Sequence, residues 1–188
     1  MKKMISMLLA LVVVFGLSAC GSAAQPTEAP TEPVPAYQLE GTMEELVNQV
    51  IAEQPVEFMG GVIPVDLTDT SEDGLWAVKY YTGLDNAEQI SDVAVYEPMM
   101  GSIAFSLVMV RANEGESPAA VAEAMKSGID TRKWICVEAD DLKIGSFGDV
   151  VMLIMVDSAS GMTAQSFVDA FQRVCAAQYE GAELEFTI

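Results

Sequence analysis

An acidic segment holds the residues of this sequence that most resemble a metal site. Asp69, Ser71 and Asp73 alternate and Gly74 follows them, which copies the opening of a calcium-binding EF-hand loop. The last ligand of that loop would be Tyr80, which has no carboxylate with which to complete the calcium shell. We therefore expect a solvated acidic turn that caps the following helix, with weak calcium binding or none.

Thioether sulfurs are a second set of potential ligands, because the chain has 12 methionines. Met152 and Met155 are an odd number of residues apart, so they point to opposite faces of one predicted strand. Three others lie on apolar stripes: Met43, Met109 and Met125. We expect the methionines to fill the core rather than to bind copper, a metal that thioethers suit. Met99-Met100, in a predicted turn, is the one pair that fits a contact role.

Histidine is absent, and acidic residues greatly outnumber basic ones. The lack of histidine excludes a Ser-His-Asp or Cys-His site, a histidine-ligated metal and a histidine pH switch. With 28 Asp+Glu against 9 Lys+Arg, the formal net charge of -19 repels nucleic acid and anionic lipid. The acidic run Glu138, Asp140, Asp141 is typical of a solvated face, the alternative being a contact with a basic partner.

Four aromatic residues are candidates for a binding surface: Trp76, Tyr80, Tyr81 and Trp134. Aromatic anchors supply much of the binding energy at such surfaces, for a sugar or for a protein partner. Core packing is the simpler interpretation. Carboxylate pairs and a serine with a lysine base stay open as hydrolytic sites, although neither stands in a recognisable motif.

The first 19 residues have the plan of a secretion signal. Lys2 and Lys3 precede an apolar stretch, residues 4–17, that is shorter than the roughly 20 residues of a membrane-spanning helix. Leu17-Ser18-Ala19-Cys20 resembles the lipobox of bacterial lipoproteins. That resemblance implies cleavage after Ala19 and attachment of two acyl chains through Cys20, which suffices for stable anchoring in the bilayer.

Residues 20–38 are rich in Pro, Thr and Glu, with four prolines at 26, 30, 33 and 35. This composition predicts a tether, which would reach about 55 Å as polyproline II and about 25 Å as a flexible coil. A proline-rich ligand for a partner module is the alternative. Residues 39–188 then form one domain, long enough to bury a core without metals or disulfides.

The domain begins with one clear helix. Thr42 and Glu45 form a capping box ahead of an apolar stripe with helical spacing, and Pro55 ends the pattern. A short edge strand is predicted over 62–67. Residues 72–81 fit either the helical or the strand period, and we favour a helix that Gly83 closes. The alternating residues at 184, 186 and 188 suggest a further edge strand.

Two strand-strand-helix units follow. The first is predicted as strands 90–96 and 103–110 with a helix over 118–129. The second is predicted as strands 142–147 and 150–156 with a helix over 164–177. Ser117 and Thr163 are the expected N-caps of these two helices. We therefore predict an α+β fold with an antiparallel sheet of four or five strands, preceded by one or two helices, in which the helices cover one face.

Cys136 and Cys175 are the thiols that remain once Cys20 is lipidated. Cys136 lies just beyond the helix of the first unit, and Cys175 lies near the end of the helix of the second. If the two helices run side by side on one sheet face, their C-terminal ends come close enough to permit a disulfide, which can form outside the cell membrane. The alternative is two reduced, buried thiols, because Cys175 lies on an apolar stripe.

Several segments also resemble those of a family of small lipoproteins from Gram-positive anaerobes, whose domain has no known function. They are the lipobox, residues 81–85 leading into 90–92, Tyr96-x-Pro98 leading into 103–110, the helix at 118–129, and the strand at 150–156 before the last helix. The resemblance covers about residues 42–178. It implies the location and the fold, and it assigns no catalytic residue.

Together these features predict a lipoprotein anchored on the outer side of the cell membrane. We expect its domain to bind an envelope protein or ligand, without catalysis and without a cofactor. Nucleic acid is not an expected partner. The alternatives are an envelope hydrolase with a carboxylate or Ser/Lys site, and a small solute-binding lipoprotein.

Overall fold

A computed structural model describes residues 37–186. Helix α1, Met43–Glu53, begins at Thr42, whose side chain accepts a hydrogen bond from the Glu45 backbone while the Glu45 carboxylate bonds back to the Thr42 N–H. Helix α2, Glu72–Thr82, begins at Ser71 and ends at Gly83, which has a φ of 81°. That left-handed conformation suits glycine, so both predicted ends of α2 are confirmed.

The two later helices also begin where their N-caps predict. Helix α3, Pro118–Gly128, has Ser117 as its N-cap and a proline in its first turn. Helix α4, Ala164–Gln178, has Thr163 as its N-cap. A single turn of 3-10 helix, Ser158–Ser160, precedes α4.

One antiparallel sheet of six strands lies at the centre, in the order β1-β2-β3-β5-β4-β6. The strands are β1 Gly60–Pro64, β2 Ile90–Pro98, β3 Phe105–Ala112, β4 Asp141–Phe147, β5 Val150–Val156 and β6 Glu185–Phe186. The α+β class and the two hairpins are confirmed. The edge strands predicted at 62–67 and in the tail are present as β1, which begins two residues earlier, and as the two-residue β6.

Helices cover both faces of the sheet, so the prediction that they share one face is wrong. Helices α1 and α4 pack on one face, against residues such as Leu107 and Met152. Helices α2 and α3 pack on the other face, against residues such as Val108 and Leu153. Every residue of β5 is buried, which requires cover on both sides of this strand.

The chain enters the domain at one end of the sheet. Leu39 donates its N–H to Asp149 in the β4–β5 turn at 3.0 Å, and Arg111 at the end of β3 donates to the carbonyls of Leu39 and Gly41 at 2.9 and 2.7 Å. Tyr37 stacks on Phe147 with ring centroids 5.5 Å apart. The segment that follows the predicted tether is therefore fixed to the outgoing end of β3.

None of the helices in the described part of the chain is long and apolar enough to cross a membrane.

Candidate functional site

A buried ion pair lies at the opposite end of the sheet from the chain entry. Lys133 Nζ lies 2.6 Å from Glu97 Oε1, and only 1% and 9% of these two side chains are exposed. Lys133 also donates to Ser106 Oγ at 3.2 Å. Lys133 comes from the loop between α3 and β4, so the pair binds that loop to strands β2 and β3.

Glu97 and Ser106 occupy the same rung of the sheet. Val95 lies opposite Val108 and Tyr96 opposite Leu107, so the next rung places Glu97 opposite Ser106. Since side chains alternate between the faces, both point to the side that α2 and α3 cover. The loop between α3 and β4 thus places the Lys133 ammonium against Glu97 and Ser106, two polar residues on an otherwise apolar face of the sheet.

Three aromatic rings surround the Lys133 ammonium. Its Nζ lies 4.7, 5.2 and 5.3 Å from the ring centroids of Tyr80, Tyr81 and Trp134. Burial lowers the pKa of Lys133 and raises the pKa of Tyr80 and Tyr81, with the Glu97 charge adding to the effect on both tyrosines. The rings and the carboxylate together compensate the loss of water around the ammonium.

Two exposed apolar side chains extend from this cluster. Trp76 is 60% exposed and stacks on Tyr80 with centroids 4.7 Å apart. The Tyr80 hydroxyl donates to the Lys133 carbonyl at 3.4 Å, and Ile135, two residues further on, is 83% exposed. We call Trp76, Tyr80 and Ile135 the aromatic surface. Its base is held by the Trp76–Tyr80 stack and the Tyr80 hydrogen bond, and Trp76 and Ile135 present apolar area to solvent.

The four predicted aromatic residues therefore separate into two roles. Trp76 is exposed and Tyr80 is half-buried beneath it, whereas Tyr81 and Trp134 are half-buried and pack against the buried residues under α2 and α3. Neither Lys133 nor Glu97 lies in a motif that predicts a site. A signal for Glu97 was present, because it continues the buried alternation of Val93 and Val95 on the core side of β2.

The acidic segment is a helix cap in this structure. Asp69 Oδ1 accepts the Ser71 N–H at 2.9 Å, and Ser71 Oγ accepts the Gly74 N–H at 3.2 Å. These oxygens lie close together in sequence, but the backbone of the α2 N-terminus already occupies them. Hydrogen bonds from Ser71 lower the pKa of Asp69. The expectation of weak calcium binding or none stays a prediction.

The second acidic run is used in a similar way. Asp140 accepts hydrogen bonds from the backbone and the hydroxyl of Ser158, each at 2.7 Å, and these lower its pKa. Asp141 accepts the Ala164 N–H at the start of α4, and exposed Glu138 pairs with Arg132 at 3.1 Å. Within residues 37–186, no group of three acidic or cysteine side chains could hold a metal ion.

Cys136 and Cys175 are both free thiols, so the disulfide is not formed in this structure. Cys175 is buried in the α1/α4 cluster, while Cys136 is exposed between Trp134 and Val137, which pack on the other face. The sheet separates the two thiols because α3 and α4 cover opposite faces. The alternative of two buried thiols is correct for Cys175 and wrong for Cys136.

The methionines predicted as core residues are completely buried: Met43, Met109, Met125, Met152 and Met155. Met152 and Met155 belong to the clusters on opposite faces, as their spacing predicts. Met99 and Met100, in the turn after β2, are exposed, and so is Met59 just before β1.

Comparison of the chain with protein-family models, curated proteins and solved structures finds no match. The resemblance to a lipoprotein family therefore remains an expectation. Cys20, the signal segment and most of the predicted tether lie outside the described residues.

Proposed function

We propose that this protein is a lipoprotein anchored on the outer side of the cell membrane, and that its domain binds an envelope protein through the aromatic surface. The observation that carries the binding proposal is the exposed Trp76 ring, stacked on Tyr80 above the buried Lys133–Glu97 pair. Residues that are large, apolar and held rigid lose little entropy on binding, so they act as anchors.

The position of this surface supports the proposal. Arg111, which holds the chain entry, is five residues along β3 from Ser106, which contacts Lys133. At about 3.4 Å per residue, Arg111 at the chain entry and Ser106 at the ion pair are about 17 Å apart. Leu39 packs on the α1/α4 face, whereas the aromatic surface lies on the other. The aromatic surface thus lies at the other end and on the other face of the sheet from Leu39, which supports its use as a contact surface for a partner.

Charge indicates the chemistry of the partner. The chain has a formal net charge of -19. Lys133 adds no positive charge to the surface, because it is buried and paired with Glu97. A partner with an apolar pocket for Trp76 and a basic rim would fit this surface, and its association would be faster at low salt.

Photocrosslinking on intact cells tests the proposal. A benzophenone amino acid at position 135 should capture one discrete envelope protein, and Trp76→Ala in the same chain should abolish the captured band. The matched control carries the photocrosslinker at position 169, where exposed Asp169 lies on α4 on the opposite face. Equal capture from positions 135 and 169, or capture unaffected by Trp76→Ala, would contradict the proposal.

The Lys133–Ser106 contact is the specific observation for a second candidate, a hydrolase with a serine and a lysine base. Burial lowers the pKa of Lys133, which favours a base. Two features weigh against this candidate: Ser106 is 0% exposed, and the Glu97 carboxylate at 2.6 Å favours the charged ammonium. Labelling of Ser106 by a fluorophosphonate, lost in Lys133→Met, would support the hydrolase.

A further inference from the structure

Three exposed methionines lie at the end of the sheet away from the chain entry. Met59, Met99 and Met100 are 76%, 74% and 60% exposed. They make up three of the seven large hydrophobic residues that the described part of the chain exposes. Because exposed apolar side chains are ordinary only when scattered, a group of one residue type at one place calls for a chemical reason.

The backbone sets Met59 and Met99 side by side. The Met99 N–H donates to the Met59 carbonyl at 2.9 Å, immediately beyond the paired residues Gly60 and Pro98. Directly opposed residues of this kind have Cα atoms about 5.5 Å apart and side chains on the same face. The side chains of Met59 and Met99 therefore project from the same face of the sheet, and Met100 is the next residue, in the adjoining turn.

Space for these arms to converge is present. A Cβ atom built at Gly61 or at Gly101 would have no heavy atom within 4 Å. Gly61 is opposite Glu97 in the register, two residue pairs further in than Met59 and Met99 and therefore on the same face of the sheet. The neighbouring carboxylate of Glu97 is already paired with Lys133, so the thioethers are the free donors at this place.

Thioether sulfur is a soft ligand that suits Cu(I) and similar soft cations, whereas Ca²⁺ and Mg²⁺ prefer oxygen ligands. The chain has no histidine to draw a borderline metal, and its net charge of -19 raises the local concentration of cations. We propose that Met59, Met99 and Met100 form a thioether site for Cu(I) or Ag(I). This proposal uses none of the residues of the aromatic surface, so it is independent of the proposed function.

Silver titration tests the site directly. The full chain should carry Cys20→Ser and Cys136→Ser, since an exposed thiol would compete for the metal, whereas Cys175 is buried with its pKa raised to about 12. In chloride-free buffer, calorimetry with Ag(I) should show one equivalent bound. With methyl-labelled methionine, Ag(I) should shift three methyl NMR signals and leave those of the buried methionines in place.

The variant Met59→Leu/Met99→Leu/Met100→Leu keeps the apolar shape and removes the sulfur. We expect it to bind Ag(I) at least 10-fold more weakly, a loss of about 1.4 kcal/mol. The control is Met162→Leu, because Met162 is partly buried against the α1/α4 cluster. No binding by the parent chain, or equal binding by the triple variant, would overturn the proposal. A photocrosslinker at position 100 that captures a protein, with no Ag(I)-induced shift of the methionine methyl signals, would also overturn the proposal and would indicate a protein-docking surface at this place.

Discussion

Arg111 and Asp149 form an ion pair that fixes the point where the chain enters the domain. Their side chains are 19% and 14% exposed, and each also bonds to the entering segment, Arg111 to two carbonyls and Asp149 to the Leu39 N–H. One pair therefore joins the end of β3, the β4–β5 turn and the residues before α1. This places the entry at the end of the sheet away from Lys133 and Met99.

Replacement of Arg111 by Met should release this entry segment. Because Asp149 would remain largely buried without its partner, we expect the free energy of unfolding to fall by about 2 kcal/mol in urea titration. Arg173→Met is the control, since Arg173 pairs with Glu53 at 2.8 Å where both side chains are about half exposed. Its loss should stay below about 1 kcal/mol. Equal losses in the two variants would contradict the role given to Arg111.

Removal of the Lys133 charge should be costly because it leaves the Glu97 carboxylate buried and unpaired. We expect Lys133→Met to lower the free energy of unfolding by about 3 to 5 kcal/mol, and Lys133→Met/Glu97→Leu to recover most of it. Lys79→Met is the matched control, because Lys79 and Asp85 form an exposed pair. A double variant as unstable as Lys133→Met would show that the loop depends on other contacts.

The two thiols should react very differently. Cys136 is exposed, whereas burial raises the pKa of Cys175 to about 12. In the folded chain carrying Cys20→Ala, a thiol reagent at pH 8 should label one cysteine quickly, and Cys136→Ser should abolish that labelling. Cys175 should react only in denaturant. A shift of the unfolding midpoint on addition of reductant would instead indicate the disulfide.

Calcium should bind weakly or not at all at Asp69, Ser71 and Asp73. The Asp69 and Ser71 oxygens already accept backbone hydrogen bonds, and Tyr80 lacks the carboxylate that would complete the shell. Calorimetry should therefore detect no sub-micromolar site. Tight binding that Asp69→Ala or Asp73→Ala abolishes would reverse this interpretation.

Loss of the lipidated residue should change the location of the protein. We expect Cys20→Ala to appear outside the membrane fraction or to remain unprocessed, because the two acyl chains supply the anchoring energy. Fractionation and immunoblotting measure this directly. An unmodified Cys20 in the mass spectrum of the mature wild-type protein would refute the lipoprotein hypothesis.

Local interactions explain why much of the fold could be predicted. The Thr42–Glu45 box, the Ser71 cap and the Gly83 stop each depend on residues within one or two turns, so a short stretch of sequence fixes them. Strand β5 was predicted with its exact bounds, 150–156, because a short apolar run between a glycine turn and a helix cap has few other interpretations.

The placement of the helices could not be predicted in the same way. Every position of β5 is apolar, so alternation does not mark which side faces the core, and the connecting loops decide to which face α3 and α4 return. The continuous burial of β3 and β5 argues for cover on both faces, a signal that the prediction of one covered face did not use.

The sequence by itself determined where elements begin and end, which chemistries lack the necessary residues, and which thioethers fill the core. Only the tertiary structure decided that Lys133 meets Glu97, that Met59 lies opposite Met99, and that the sheet separates Cys136 from Cys175. The physical reason is distance along the chain. Caps and periodicity act between near neighbours, whereas these contacts depend on strand register and helix placement, which are set only when the whole core packs together.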